Sequence, residues 1–223
     1  KSRPSAFFIA SMMAGAYVGM GIILIFSLGA TADGAYRSLI MGTTFSIALT
    51  LVVFAGSELF TGHTMYMPLG WLARRIATTD VAATWAVAWV GNLAGAFVLA
   101  ALVAAGGGIL MNEGSAFLNK VAAYKMSSPA GELVARAILC NWLVCLALWM
   151  SARTTSDTTK CIVIFWCLLA FIASGFEHSV ANMTIFSVAL LGQHPEPVSV
   201  TGAAHNLLWV TIGNAISGAI FMA

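Results

Sequence analysis

Apolar runs separated by charged or Gly/Pro-rich joints fall at 5–29, 38–70, 80–106, 128–151, 159–191 and 199–223, which predicts six membrane helices. The second and fifth runs are too long for one crossing. At ~1.5 Å per residue an unbroken helix over either would reach ~50 Å, against a hydrocarbon core near ~30 Å. Each is interrupted at a matching place by a polar cluster, Gly56-Ser57-Glu58-Leu59-Phe60-Thr61-Gly62-His63-Thr64 in one and Ser174-Gly175-Phe176-Glu177-His178-Ser179-Val180-Ala181-Asn182-Met183-Thr184 in the other. Irregular backbone at membrane depth is tolerated where it is buried in protein or lines a wet cavity, so both helices are expected to break there. Ionisable groups in such sequence are costly and mark routes for ions or protons.

Glu58 and Glu177 lie about half the chain apart, and paired interruptions in two halves point to a transport site. The halves, about 5–108 and 126–223, each read helix, broken helix, helix. Each third helix carries a similar string, Trp89-Val90-Gly91-Asn92-Leu93-Ala94-Gly95 and Trp209-Val210-Thr211-Ile212-Gly213-Asn214-Ala215-Ile216-Ser217-Gly218. An internal duplication is therefore expected. Three crossings per copy would invert the second copy about an axis in the membrane plane. Lys1, Arg3, Arg74, Arg75, Arg153 and Lys160 then share one side and Arg37, Lys120 and Lys125 the other, which places both termini in the cytoplasm by the positive-inside rule. Gly15/Gly19 and Gly91/Gly95 have the GxxxG spacing that lets helix backbones approach closely.

Composition agrees with a membrane protein: 60% of residues are hydrophobic and only 8% charged, and mean hydropathy is +0.92, where soluble domains run near ~25% charged. A formal net charge of +2, thinly spread, leaves no basic stripe for nucleic acid. Cys140, Cys145, Cys161 and Cys167 form no CxxC pair and read as buried thiols. The first apolar run is too long for a signal-peptide core and is expected to be a retained membrane helix. An abrupt start and an end inside an apolar helix suggest trimmed termini. The whole, 1–223, reads as a single transmembrane domain.

Among the polar residues, His178 leads, because an imidazole changes charge near neutrality. The alternative is a structural ring that ties the broken backbone together. Glu177 is expected to fix that imidazole or to cap the half-helix, and Glu58 has the same reading. His63 corresponds to Asn182, each five positions after its glutamate, and both residue types suit capping. Thr61 offers a hydroxyl either to a passing anion at a half-helix N-terminus or to its own helix. Lys125, before the fourth run, reads as a snorkelling side chain or as an anion ligand. Asn141 needs a partner, an anion or a neighbouring helix, and Arg136 has Glu132 four residues earlier as an intrahelical partner. Phe45, Leu49, Leu59 and Phe171 have core packing as their default.

The strings Gly56 to His63, Cys140-Asn141-Trp142-Leu143-Val144-Cys145-Leu146-Ala147 and Gly175 to Thr184 resemble those of the formate/nitrite transporter family, over essentially the whole chain. The Thr-Gly-His and Cys-Asn-Trp variants, with Asn206-Leu207-Leu208-Trp209-Val210-Thr211, resemble its bacterial nitrite-channel branch. The resemblance implies an aquaporin-like six-helix bundle of two inverted three-helix repeats, assembled as a homo-pentamer in the bacterial inner membrane and passing nitrite or similar small anions, with protons. No cofactor, metal or enzymatic activity is implied. It puts the pore histidine on His178, the anion-facing threonine on Thr61, the vestibule lysine on Lys125 and the helix-four asparagine on Asn141, with Glu177 beside the pathway. It puts one constriction on Leu59 with Phe171, outside the histidine, and another on Phe45 with Leu49, toward the cytoplasm. Arg136 departs from the apolar residue of formate channels and is expected to tune anion attraction. The rivals on these grounds are a conduit of the formate type, one for neutral solutes such as water or ammonia, which would have no use for Lys125, and an intramembrane metalloenzyme using His63, His178, Glu58 and Glu177, which lacks any HExxH spacing.

Overall fold

The computed structural model describes residues 4–223, so Lys1 and Arg3 of the basic set lie outside the described residues. Among these, every regular element is helical: α1 (Pro4–Thr31), α2 (Arg37–Phe54), α3 (Phe60–Leu72), α4 (Thr78–Gly106), a 3-10 turn (Ile109–Met111), α5 (Ser115–Ser127), α6 (Ala130–Ala152), α7 (Asp157–Ala173), α8 (Ser179–Leu191) and α9 (Val200–Ile216). A π-helical segment, Ser217–Met222, continues α9. Four of these, α1, α2, α4 and α6, are long and apolar enough to cross a membrane unaided.

Both long runs are interrupted where their polar clusters lie, between α2 and α3 and between α7 and α8. The two breaks use the same backbone device. Gly56 and Gly175 sit in the left-handed region, at φ 65° and 70°, where a Cβ would be strained. Ser57 N–H then donates to the Val52 carbonyl (3.1 Å) and Phe176 N–H to that of Phe171 (3.1 Å), closing the preceding helix. Each following half-helix is held by an asparagine from a third helix. Asn92 accepts from Phe60 N–H (2.9 Å) and donates to the carbonyls of Ser11 (2.7 Å) and Glu58 (3.0 Å). Asn214 accepts from Ser179 N–H (2.9 Å) and donates to those of Ala137 (2.9 Å) and Glu177 (3.1 Å). The first backbone N–H of each half-helix, Phe60 and Ser179, is thus satisfied by an amide side chain.

Gly15, Gly91 and Gly95 of the two GxxxG strings lie at the α1–α4 contact, each against the partner helix, while Gly19 meets Leu99 of α4 and Thr184 of α8. A Cβ on Gly15 would run into the Asn92 carbonyl, and one on Gly95 into that of Met12. Every residue of α8 from Ser179 to Ala189 is buried, since α1, α4, α5 and α9 surround it. The stretch between the third and fourth apolar runs, 107–127, reads from the sequence as a joint, and the structure corrects this. It contains α5, with Leu118, Ala122 and Met126 inward. Amphipathic periodicity of this kind is invisible to a search for unbroken apolar runs. Cys161 is a second correction: it is exposed, while Cys140, Cys145 and Cys167 are buried, and all four are free.

Candidate functional site

The N-termini of the half-helices α3 and α8 meet at the centre. His178 is the N-cap of α8, accepting at Nδ1 from Ala181 N–H (3.1 Å). With Nδ1 an acceptor, the single proton of a neutral ring lies on Nε2, which is 3.1 Å from Thr61 Oγ1. Thr61 stands in the first turn of α3 and does not cap it; the N-cap is Leu59, without a side-chain bond. Its carbonyl is occupied by the hydroxyl of Thr64 at 2.6 Å. Two helix N-termini therefore direct partial positive charge at one buried hydroxyl–imidazole pair.

Apolar rings enclose the pair. Phe171 stacks on His178 at 5.9 Å and 16°, and Phe45 meets Phe171 edge-on at 5.5 Å. Together with Leu49, Leu59 and their neighbours they line a cavity of about 10 Å³, room for about one water-sized sphere. Wider chambers flank it. One, of about 150 Å³, is lined by Lys125, Phe171, His178 and Asn182. The other, of about 260 Å³, is lined by Glu58, Leu59, His63, Tyr66 and Lys160. Leu59 and Phe171 thus face opposite chambers rather than forming one gate, and Phe45 goes with Phe171; this corrects the grouping read from the sequence.

At the first chamber Lys125, in the last turn of α5, donates to Glu177 Oε1 (2.8 Å). Glu177 Oε2 accepts from Asn182 Nδ2 (2.6 Å), Asn182 Nδ2 also donates to Asn206 Oδ1 (2.8 Å), and Asn206 Nδ2 returns to the Lys125 carbonyl (2.8 Å). Glu177 is 1% exposed. Its carboxylate fixes the lysine, not the imidazole, contrary to the expectation from adjacency. At the second chamber His63 Nε2 lies 2.8 Å from Glu58 Oε2, and Trp85 Nε1 donates to the His63 carbonyl (3.0 Å).

The structure does not bring Asn141 or Arg136 to these chambers. Asn141 Nδ2 donates to Thr64 Oγ1 (2.8 Å) and the Asn214 carbonyl (2.7 Å), tying α6 to α3 and α9. Arg136 pairs with Glu132 (2.6 Å) and lies over the Tyr124 ring at 5.5 Å. Asn92, Asn206, Asn214 and Lys160, which the sequence offers as repeat, motif or topology residues and not as site residues, also stand at or behind the site, and each asparagine is a fully buried amide in an apolar run. His63 and His178 have separate partners, and among the described residues no three His, Cys, Asp or Glu side chains gather as metal ligands.

Fold and site define a helical membrane protein with two interrupted helices converging on a polar centre. A model of the formate/nitrite transporter family matches residues 1–223. The chain is 52% identical over 221 residues to the nitrite transporter NirC of Salmonella typhimurium, covering 99% of this chain and 82% of that protein. A solved FNT family ion channel superposes with TM-score 0.96 at 52% identity, covering 99% of this chain and 88% of that one. A pentameric formate channel with formate bound, 24% identical, shares the fold, with TM-score 0.83 over 98% of this chain and 94% of that one. The chain belongs to the formate/nitrite transporter family.

Proposed function

We propose that the protein is a nitrite channel in which the anion crosses the central cavity by sharing or taking a proton from His178. The observation that carries this is His178, paired with Thr61, at the wall of an apolar cavity of about 10 Å³ between two wider chambers. A bare charge entering so small an apolar space loses hydration worth many kcal/mol, and a neutral acid does not. Lys125 draws the anion into its chamber, where Glu177 holds the ammonium in place. Nε2–H of His178 and the Thr61 hydroxyl then meet the anion at the converging half-helix N-termini. Leu59 with Leu49 and Phe171 with Phe45 close the two sides. Asn141 braces the first turns of α3 behind Thr61, and Arg136 contributes charge from outside the chamber while its carbonyl accepts Glu177 N–H (3.3 Å).

The chain is one transmembrane domain, an aquaporin-like bundle of inverted repeats at about 5–108 and 126–223. The matched support of Phe60 by Asn92 and of Ser179 by Asn214 favours that duplication. The protein acts as a homo-pentamer in the bacterial inner membrane with both termini cytoplasmic. Nitrite as substrate rests on likeness to the Salmonella nitrite transporter.

The test is nitrite flux in proteoliposomes carrying an internal pH dye, with nitrate and formate as competitors. His178→Phe is expected to leave the oligomer intact and to slow nitrite flux on the order of a hundredfold or more, since a benzyl ring cannot give or share a proton. Parental flux in an assembled variant would remove His178 from the mechanism.

A further inference from the structure

The two breaks match in backbone and differ in chemistry at one position. Five residues after Glu177, Asn182 donates an amide hydrogen to the carboxylate (2.6 Å), which Lys125 also engages. Five residues after Glu58, the same position holds His63, with Nε2 against the carboxylate at 2.8 Å. An amide binds no proton; an imidazole backed by a carboxylate does. The Lys125 chamber therefore has a fixed cation at its wall, and the opposite chamber has a proton-binding pair immediately beyond Leu59.

Burial suits the pair to that task. His63 is 13% exposed and Glu58 37%, so the ring lies inward and the carboxylate reaches the chamber. His63 Nδ1 is buried without a hydrogen-bond partner, so the ring exchanges protons with the chamber only through Nε2 and the Glu58 carboxylate. The charged and titratable groups facing the ring are Glu58 from the break, Tyr66 from α3 and Lys160 from α7, the last paired with Asp157 (2.9 Å). From α1 and α4 come the Phe7 ring, at 5.5 Å, and Trp85.

We infer that Glu58 and His63 form the proton port of the channel, the place where a neutral acid that has passed His178 is returned to its anion; this rests on the nitrite-channel reading. The O–H bond of nitrous acid breaks and its electron pair stays on nitrite. The proton bonds to the Glu58 carboxylate, the exposed member of the pair, and passes to the Nε2 lone pair of His63 at 2.8 Å, where the carboxylate balances the imidazolium. The proton then passes to water in the chamber, and the reverse sequence loads an outgoing anion. Deprotonation beyond Leu59 also keeps the product from re-entering the apolar cavity.

His63→Asn gives this mouth the chemistry of the other and keeps a hydrogen bond to Glu58. In pH-dye proteoliposomes its nitrite flux is expected to fall on the order of tenfold. Imidazole added on both sides at constant pH should restore most of that loss while leaving the parent unchanged. Parental flux in His63→Asn, or a loss that imidazole does not restore in assembled protein, overturns the port. If His63→Asn fails to assemble, His63→Gln replaces it, and failure of both assigns His63 to folding and overturns the port as well. A parent inert to nitrite would instead overturn the channel reading on which the port rests.

Discussion

Glu177 has four partners: Lys125 and Asn182 bond its side chain, its N–H donates to the Arg136 carbonyl, and its own carbonyl accepts from Asn214. Removing one member of a buried pair leaves the other charge uncompensated, whereas removing both is far less costly. Lys125→Gln is expected to lower oligomer stability by on the order of 3 kcal/mol, and Lys125→Gln with Glu177→Gln to recover most of it, measured by thermal unfolding in detergent. A single variant as stable as the parent would show the pair to be energetically idle. Lys125→Gln should also slow flux most at low nitrite, with inert salt narrowing the gap by screening. His178, Thr61, Lys125 and Glu177 each stood out in the sequence as polar groups in apolar surroundings. Their pairing did not, because 117 residues separate Thr61 from His178 and 52 separate Lys125 from Glu177. Adjacency suggested that Glu177 serves His178; the extended backbone of the N-cap sends neighbouring side chains to different partners.

At the level of elements, the legible features were those that repeat or interrupt a simple pattern. Helix length against bilayer thickness foretold the breaks, and Gly56 and Gly175 supply the left-handed turns that make them. α5 was illegible because its polar and apolar residues alternate with helical period. The close approach of α1 to α4 rests on glycines, and Gly95→Ala tests it. The added methyl would enter the Met12 carbonyl, so α1 must shift, at a cost of roughly 1–3 kcal/mol typical of overpacking. Gly131, near the start of α6, has nothing within 4 Å of its would-be Cβ. Gly131→Ala should accordingly be neutral or stabilise by up to ~1 kcal/mol through helix propensity. Thermal unfolding of the two variants side by side separates contact from propensity; equal behaviour would mean that α1 and α4 do not depend on the close approach.

Over the whole molecule the proposed pathway is two chambers in series with a small apolar cavity between them, and Leu59 lines that cavity and one chamber, Phe171 the cavity and the other. Resistances in series add. If the two walls are comparable, Leu59→Ala or Phe171→Ala alone leaves the other barrier standing and changes ion flux by only about twofold, while the double variant wets the passage from end to end. Nitrate is the conjugate base of a strong acid and gains little from His178, so it reports the dielectric barrier almost alone. Nitrate flux should therefore rise far more in the double variant than the two single variants together account for, and nitrite flux should lose pH dependence as unprotonated passage opens. Had the two side chains formed one gate, either truncation would open it and the second would add little. An assembled double variant with the parental nitrite-to-nitrate ratio would show that the barrier lies elsewhere, in the His178–Thr61 pair itself.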